Sequence, residues 1–223
     1  MQTKINGATL TNIGRKRTKN EDAAYFNSCE DFTLLMIADG IGGHKKGEVA
    51  SDMTISIVSN KILNFEKAFK LTTSRRLIKS AIKYANKEVN NLSVKQEYLD
   101  MGTTLVLALV LKEKTIIANI GDSRLYRFDK EFGLTQLTVD QNYVQYMIQI
   151  GKMTKEEAKN SNKKNVLLNA LGVNPSVYYD EQIIDNNYDA LLLCSDGLYN
   201  MVSLEELNEI MYLNCLLYTS PSP

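Results

Sequence analysis

The chain has a single histidine, three cysteines and three prolines in 223 residues, and its charges cancel, 26 basic against 26 acidic. Each scarcity closes a class of function. His44 alone, with the dispersed Cys29, Cys194 and Cys215, cannot supply the nitrogen and sulfur ligand sets that hold zinc. An odd number of scattered thiols suits a reducing cytoplasm better than a disulfide framework. Balanced charge leaves no basic surplus for nucleic acid or for an anionic membrane, so neither is expected as a partner. The longest apolar stretch, residues 105–111, is far too short to cross a bilayer. The polar opening Met1-Gln2-Thr3-Lys4-Ile5-Asn6 is followed by no secretory apolar region, so a cytoplasmic location is expected. Prolines fall only at Pro175, Pro221 and Pro223, and neither a linker nor an internal repeat divides the chain. One domain with one sizeable core is expected.

Several catalytic patterns are missing too. A cysteine phosphatase carries Arg at the sixth position after its cysteine, where this chain has Leu35, Asn200 and Pro221. A Gly-x-Ser-x-Gly elbow around Ser195 would need glycine in place of Leu193. The glycine-rich stretch from Gly40 to Gly47 lacks the Gly-Lys-Ser/Thr ending of a phosphate-binding P-loop.

What is present is one arrangement used three times. The apolar runs 34–38, 116–120 and 191–195 lead into Asp39-Gly40, Gly121-Asp122 and Asp196-Gly197. Short Leu- and Ile-rich runs stopped by glycine read as buried strands, which place each Asp at a strand end. Gathered carboxylates repel one another and titrate upward unless cations neutralise them. Oxygen donors without Cys or His select a hard ion, Mg²⁺ or Mn²⁺. The competing reading, that each Asp-Gly merely starts a turn, is the commoner role of a single such pair.

The remaining pattern predicts mixed elements. Residues 1–27 read as strand, polar loop, strand. A helix follows Gly47, with Val49, Met53, Ile57 and Ile62 towards the core. A second helix spans 74–92, capped by Ser74, with Leu77, Ile78, Ala81, Ile82, Ala85 and Val89 at helical spacing. Strands over 105–111 and up to Asp122 form a hairpin turned by Lys112-Glu113-Lys114. Residues 123–128 alternate like another strand, 142–160 are helical with a break at Gly151, and 177–184 read as strand. Ser203-Leu204-Glu205-Glu206 is a capping box opening a last helix. Without regular βαβ units, the hairpin points to an α+β layered domain.

In chain order, Arg17-Thr18-Lys19-Asn20-Glu21-Asp22, Asp39-Gly40-Ile41-Gly42-Gly43-His44, Gly102-Thr103-Thr104, Gly121-Asp122-Ser123-Arg124 and Cys194-Ser195-Asp196-Gly197-Leu198 stand as in type 2C, metal-dependent serine/threonine protein phosphatases. Each motif alone is weak; five in order are specific, and the Asp39 loop resembles the bacterial branch. The resemblance implies a four-layer sandwich, two antiparallel β-sheets flanked by helices on both sides. It implies hydrolysis of phosphoserine and phosphothreonine in proteins by a metal-bridged hydroxide, with two core Mn²⁺ or Mg²⁺ ions and a third, weaker one. Asp39 would bridge the core ions, the Gly40 carbonyl and Asp196 would ligate them, and Asp122 would hold the third. Glu21 and Asp22 would order metal-bound water. Arg17 would grip the substrate phosphate through its planar fork. The implied partners are phosphorylated proteins and a cognate serine/threonine kinase, and the segment 140–157 corresponds to a mobile flap beside the site. Blander roles compete: Arg17 as one solvated charge of a basic loop, Asp122 as the ion-pair partner of Arg124, Gly102-Thr103-Thr104 as a strand set against the site. Many relatives have a histidine directly after the bridging Asp-Gly. Here Ile41 stands there; His44 is one candidate for the general acid and a metal-bound water the other, with a surface loop histidine as the blander role of His44.

The resemblance breaks at the end. The family continues past its last helix to an Asp-Asn pair that ligates metal, whereas no acidic residue follows Glu209. The expectation is a phosphatase-like domain over 1–213, shortened at its C-terminus, and a non-native tail over 214–223. The alternative function is a catalytically impaired, phosphoprotein-binding or regulatory pseudophosphatase.

Overall fold

Two hairpins and a pair of helices fix the frame. In the computed structural model, which describes residues 5–15, 17–42 and 46–217, with side chains through Leu213, strands β1 (Asp22–Ser28) and β2 (Thr33–Ile41) pair antiparallel. A short strand β3 (Gly102–Thr103) lies against the end of β2. Strands β4 (Leu105–Val110) and β5 (Lys114–Ile120) form the expected hairpin, closed where the Leu111 N–H donates to the Lys114 carbonyl at 2.9 Å. With β8 (Asp180–Asp185) they complete a sheet ordered β1-β2-β4-β5-β8. A second sheet, ordered β7-β6-β9, holds β6 (Arg124–Asp129), β7 (Gly133–Gln136) and β9 (Ala190–Cys194). All pairings are antiparallel.

Period-2 alternation then sorts side chains into three apolar layers. On β4, Leu105, Leu107 and Leu109 face one way with Ile116, Ala118 and Ile120 of β5, packing under helices α1 (Gly47–Leu63) and α2 (Leu71–Ser93). Val106, Ala108 and Ile117 face the other way and meet Leu125, Leu191 and Leu193 of the second sheet. Tyr126, Phe128 and Cys194 point outward from that sheet onto Leu207, Met211 and Tyr212 of α6 (Leu204–Leu217), with Phe128 and Tyr212 edge to face at 4.9 Å. Helices, sheet, sheet and helix are the four layers of the expected α+β sandwich.

The elements differ from expectation in instructive places. No strand precedes β1 among residues 5–15 and 17–21. Leu10 is 91% exposed, and side-chain bonds hold this segment, Asn20 Nδ2 donating to Thr11 Oγ1 at 2.6 Å. Helix α2 starts before Ser74, which is buried inside it; the N-terminal device is Thr73, whose Oγ1 accepts from the Lys70 N–H at 3.1 Å. Its Ile78, Ala81, Ile82, Ala85 and Val89 are buried as the spacing predicts. On α1 the buried face runs through Ala50, Thr54, Val58 and Ile62, while Val49, Met53 and Ile57 flank it half-buried. Small polar residues on that face, Ser51, Thr54 and Ser59, blur the apolar period. The 142–160 segment forms α3 (Tyr143–Gln149), capped by Asn142, and α4 (Lys155–Lys159), capped by Thr154, with Gly151 (φ +69°) between. Strand β8 starts at Asp180, later than position 177. The Ser203/Glu206 box is formed, with the Ser203 N–H donating to Glu206 at 2.8 Å. Helix α6 crosses position 213, and residues 218–223 of the expected tail lie outside the described residues.

Candidate functional site

Asp39 does not end its strand but lies within β2, directly across the β1–β2 ladder from Asp22. The neighbouring Gly102-Thr103-Thr104 stretch holds its backbone on both sides. Thr104 Oγ1 accepts from the Asp39 N–H at 2.9 Å, and the Asp39 carbonyl accepts from the Thr104 N–H and from Thr103 Oγ1, each at 2.9 Å. Thr104 Oγ1 also shares a 2.7 Å hydrogen bond with Ser123 Oγ, next to Asp122. The threonines act as the structural brace considered for them.

Beyond Asp39 the chain makes a close crossing. The Gly40 N–H donates to the Glu21 carbonyl at 3.0 Å, and Ser51 Oγ of α1 donates to the same carbonyl at 2.7 Å. A Cβ on Gly40 would collide with the Gly47 carbonyl and stand 2.7 Å from the Glu21 oxygen; one on Gly47 would stand 2.7 Å from Gly40 backbone atoms and 2.8 Å from Glu21 Oε1. Glycine at both positions lets α1 start against β2 beside the Glu21 carboxylate.

Three further acidic residues approach from other elements. Asp22 opens β1 and accepts from Ser195 Oγ at 2.7 Å. Asp122 follows the turn after β5 and is 9% exposed. Asp196 follows β9 and opens the short helix α5 (Asp196–Tyr199), where Asn200 Nδ2 donates to its Oδ2 at 3.3 Å. Burial first, then the charges of Asp22, Asp196 and Asp122 and a hydrogen bond with Asp22, push the Asp39 carboxyl from 3.8 up to about 8. Asp122 rises to about 6, mainly through burial and the charges of Asp140 and Asp196, against a hydrogen bond from Asn142. Burial and the same acidic neighbours also raise the Tyr199 hydroxyl strongly.

Arg124 does not neutralise Asp122. It turns to Asp140, with Nε 3.0 Å from Oδ1 and Nη2 2.7 Å from Oδ2, and stacks its guanidinium 3.6 Å from the Tyr199 ring centroid. Asp140 is held near by Gln141, whose N–H donates to the Gly121 carbonyl and whose Oε1 accepts from the Gly121 N–H, both at 2.9 Å. Arg17 sits on the rim, its side chain 75% exposed and 3.6 Å from Glu21 Oε2. His44 lies outside the described residues, as do Gly43 and Lys45.

The structure thus brings together Asp22, Asp39, Asp122 and Asp196, with Glu21 and Arg17 at the edge. Among the described residues, no three His, Cys, Asp or Glu side chains close on one point as a finished ligand cage. The electrostatics nevertheless fit a cation: burial first and then mutual repulsion raise the Asp39 carboxyl to about 8, and a hard divalent ion relieves such a group of oxygen donors. The sequence pattern does not set Asp140, Ser195 or Tyr199 apart as separate site residues. Ser195 was visible inside the Cys194-Ser195-Asp196-Gly197 motif; nothing local to Tyr199 marks it.

Comparison with known proteins adds an independent line. Residues 13–215 match the family described as Protein phosphatase 2C. The chain is 38% identical over 207 residues to Serine/threonine phosphatase stp of Listeria monocytogenes serotype 4b (strain F2365), covering 90% of this chain and 81% of that protein. It is 31% identical over 204 residues to Protein phosphatase PhpP of Streptococcus pneumoniae serotype 2, covering 91% and 82%. Among solved structures it superposes on serine/threonine phosphatase Stp1 from Staphylococcus aureus with a TM-score of 0.85 at 33% identity, covering 91% of this chain and 80% of that one.

Proposed function

The chain belongs to the protein phosphatase 2C family, and we propose that it removes phosphate from phosphoserine and phosphothreonine in proteins by metal-dependent hydrolysis centred on Asp39. The observation that carries this reading is the convergence of Asp22, Asp122 and Asp196 on Asp39, whose carboxyl burial and then their charges push up to about 8. When bound, Mn²⁺ or Mg²⁺ makes water nucleophilic near neutral pH and neutralises charge on the phosphoryl oxygens.

The chain's own groups hold and orient. Asp39, Asp196 and the Gly40 carbonyl would hold two core ions, and Asp122, from which Arg124 is turned away to Asp140, would hold a third. Glu21 and Asp22 order water around them, Asp22 fixed in turn by Ser195 Oγ. Arg17, exposed and 3.6 Å from Glu21, can swing its fork onto the phosphate of an arriving substrate. His44 is the proposed donor of the proton that the departing serine or threonine oxygen needs. No covalent phosphoenzyme is required.

The substrates are phosphorylated proteins, and a serine/threonine kinase that makes them is the proposed counterpart. Cys29 and Cys194 are both free thiols, which suits a cytoplasmic location. Among the described residues no helix is long and apolar enough to cross a membrane. The test is hydrolysis of a phosphothreonine peptide with Mn²⁺ raised from zero to millimolar, beside Asp39→Ala. Metal-dependent turnover that vanishes in the variant is the expected result. Turnover independent of metal, or retained in Asp39→Ala, would overturn the reading.

A further inference from the structure

A groove of about 510 Å³ lies on the outer surface of α1 and α2, lined by Lys61, Arg76, Lys79, Lys83, Lys87 and Tyr84, with no acidic side chain on its wall. Lys61 reaches across from α1, its Nζ 4.5 Å from the Tyr84 ring centroid. Among the described residues none of these five cations takes part in an ion pair. Arg75, one position away, is turned off the groove and bound to Glu181 of β8, Nε to Oε1 at 2.6 Å. Arg76/Lys79, Lys79/Lys83 and Lys83/Lys87 are like-charge neighbours at helical spacings i,i+3 and i,i+4, which destabilise the helix. In a chain with 26 charges of each sign, such concentration on one wall is a local rule broken, with no ion pair to offset it among the described residues.

We propose that this groove binds an extended acidic segment of the protein substrate, rich in Asp, Glu or phosphorylated residues, while the phosphorylated side chain is at the Asp39 site. The reading rests on the proposed phosphoprotein substrate. Geometry favours a polypeptide over a compact anion. From Arg76 to Lys87 the helix rises about 16 Å, the length of about five extended residues, so the cations form a line rather than converging on one point. Lysine ammonium groups act as mobile point charges, which suits an acidic stretch of loose sequence better than one fixed phosphate geometry. The reach is short: Gly47 abuts Gly40 at the site, and Lys61 lies on the same helix about 21 Å further on. Roughly seven extended residues span that distance, and about ten allow for the curved surface. Tethering then raises the local concentration of the phosphorylated residue at the site without any new contact there.

Lys79→Glu/Lys83→Glu tests it. Both residues are exposed on α2, outside the catalytic machinery, and Glu is a strong helix former. Two phosphothreonine peptides share the residues around the phosphate, and one carries six glutamates ten residues away. With Mn²⁺, the wild type should show a KM several-fold lower for the acidic-tract peptide at unchanged kcat. The variant should treat both peptides alike and turn over the short one at the wild-type rate, which also shows that it is folded. A second arm needs no catalysis: anisotropy of a labelled, unphosphorylated hexaglutamate peptide, which should bind the wild type, weaken with salt and fail to bind the variant. That arm stands even if neither peptide is hydrolysed, a result that would count against the phosphatase reading alone. Equal binding of hexaglutamate to wild type and variant, or binding of tripolyphosphate in the groove with none of the peptide, would overturn the proposal.

Discussion

Thr104→Val keeps the shape of a side chain and removes one oxygen on which the site depends. That oxygen accepts from the Asp39 N–H at 2.9 Å and shares a 2.7 Å bond with Ser123 Oγ, and Thr104 and Ser123 are each 1% exposed. The substitution leaves a buried N–H without an acceptor and a buried hydroxyl without this partner, about 1–3 kcal/mol each. The new methyl group recovers at most about 1 kcal/mol of apolar burial. The net loss is about 1–5 kcal/mol, which at a urea slope of about 2 kcal/mol/M lowers the unfolding midpoint by about 0.5–2.5 M. Thr104→Ser separates the oxygen from the methyl: it keeps both bonds and should cost only about 1 kcal/mol. Urea unfolding in EDTA measures both variants without metal, and the Mn²⁺ concentration for half-maximal turnover should rise for Val more than for Ser, because Asp39 has lost its brace. If Val lay within 0.5 kcal/mol of wild type, or if Ser cost as much as Val, the clamp would not be what holds Asp39.

Metal-free Asp39 is a carboxyl raised from 3.8 to about 8, so the native state binds more protons than the unfolded one between those values, and stability without metal should fall as pH rises through that window. Asp39→Asn should flatten this slope, and Mn²⁺ should raise the melting temperature of the wild type alone; parallel pH profiles for the two proteins in EDTA would contradict it. Asn86→Ala removes an amide that donates to the carbonyls of Asn174 (3.0 Å) and Pro175 (3.2 Å) and accepts from the Gly172 N–H (2.8 Å). The expected cost is about 2–3 kcal/mol, with hydrogen exchange accelerated first around residues 170–176; uniform acceleration across the chain would argue against a local anchor. Arg17→Ala should leave the urea midpoint unchanged, because the side chain is exposed, and raise KM for a phosphopeptide about tenfold through a lost charge-assisted contact; an unchanged KM would remove Arg17 from the phosphate site.

Legibility followed how local each determinant was. Helix α2 could be read because its buried face, Ile78, Ala81, Ile82, Ala85 and Val89, is apolar throughout. On α1 the expected Ile62 is buried and Val49, Met53 and Ile57 pack against the core from its flank, but the centre of the face is hidden from a hydropathy pattern because Ser51, Thr54 and Ser59 are buried among Ala50, Val58 and Ile62. The β4–β5 hairpin was clear from two apolar runs and a charged turn. Of the site, Asp39, Asp122 and Asp196 stood out as aspartates beside glycine after apolar runs. Their fixing did not, because its partners are remote: Thr104 lies 65 positions from Asp39, and Ser195 lies 173 from Asp22. Arg124 shows the same limit. Asp122 is two residues away and Asp140 sixteen, yet the Gln141–Gly121 bonds bring Asp140 in and it takes the guanidinium.

That last choice bears on how the site stays acidic. A fold that let Arg124 pair with Asp122 would neutralise one of the carboxylates that raise Asp39, leaving its burial and the charges of Asp22 and Asp196. Here the nearby described cations are occupied elsewhere: Arg124 by Asp140, Lys46 by the Leu99 carbonyl at 3.2 Å, Lys19 by Glu48 at 3.7 Å, and Arg17 at the rim. What restrains the acidic residues is uncharged: Thr103 and Thr104 on the Asp39 backbone, Ser195 on Asp22, Asn142 on Asp122, Asn200 on Asp196. Hydroxyl and amide donors fix position without cancelling charge, so the repulsion survives folding and is left for a cation from solution to relieve.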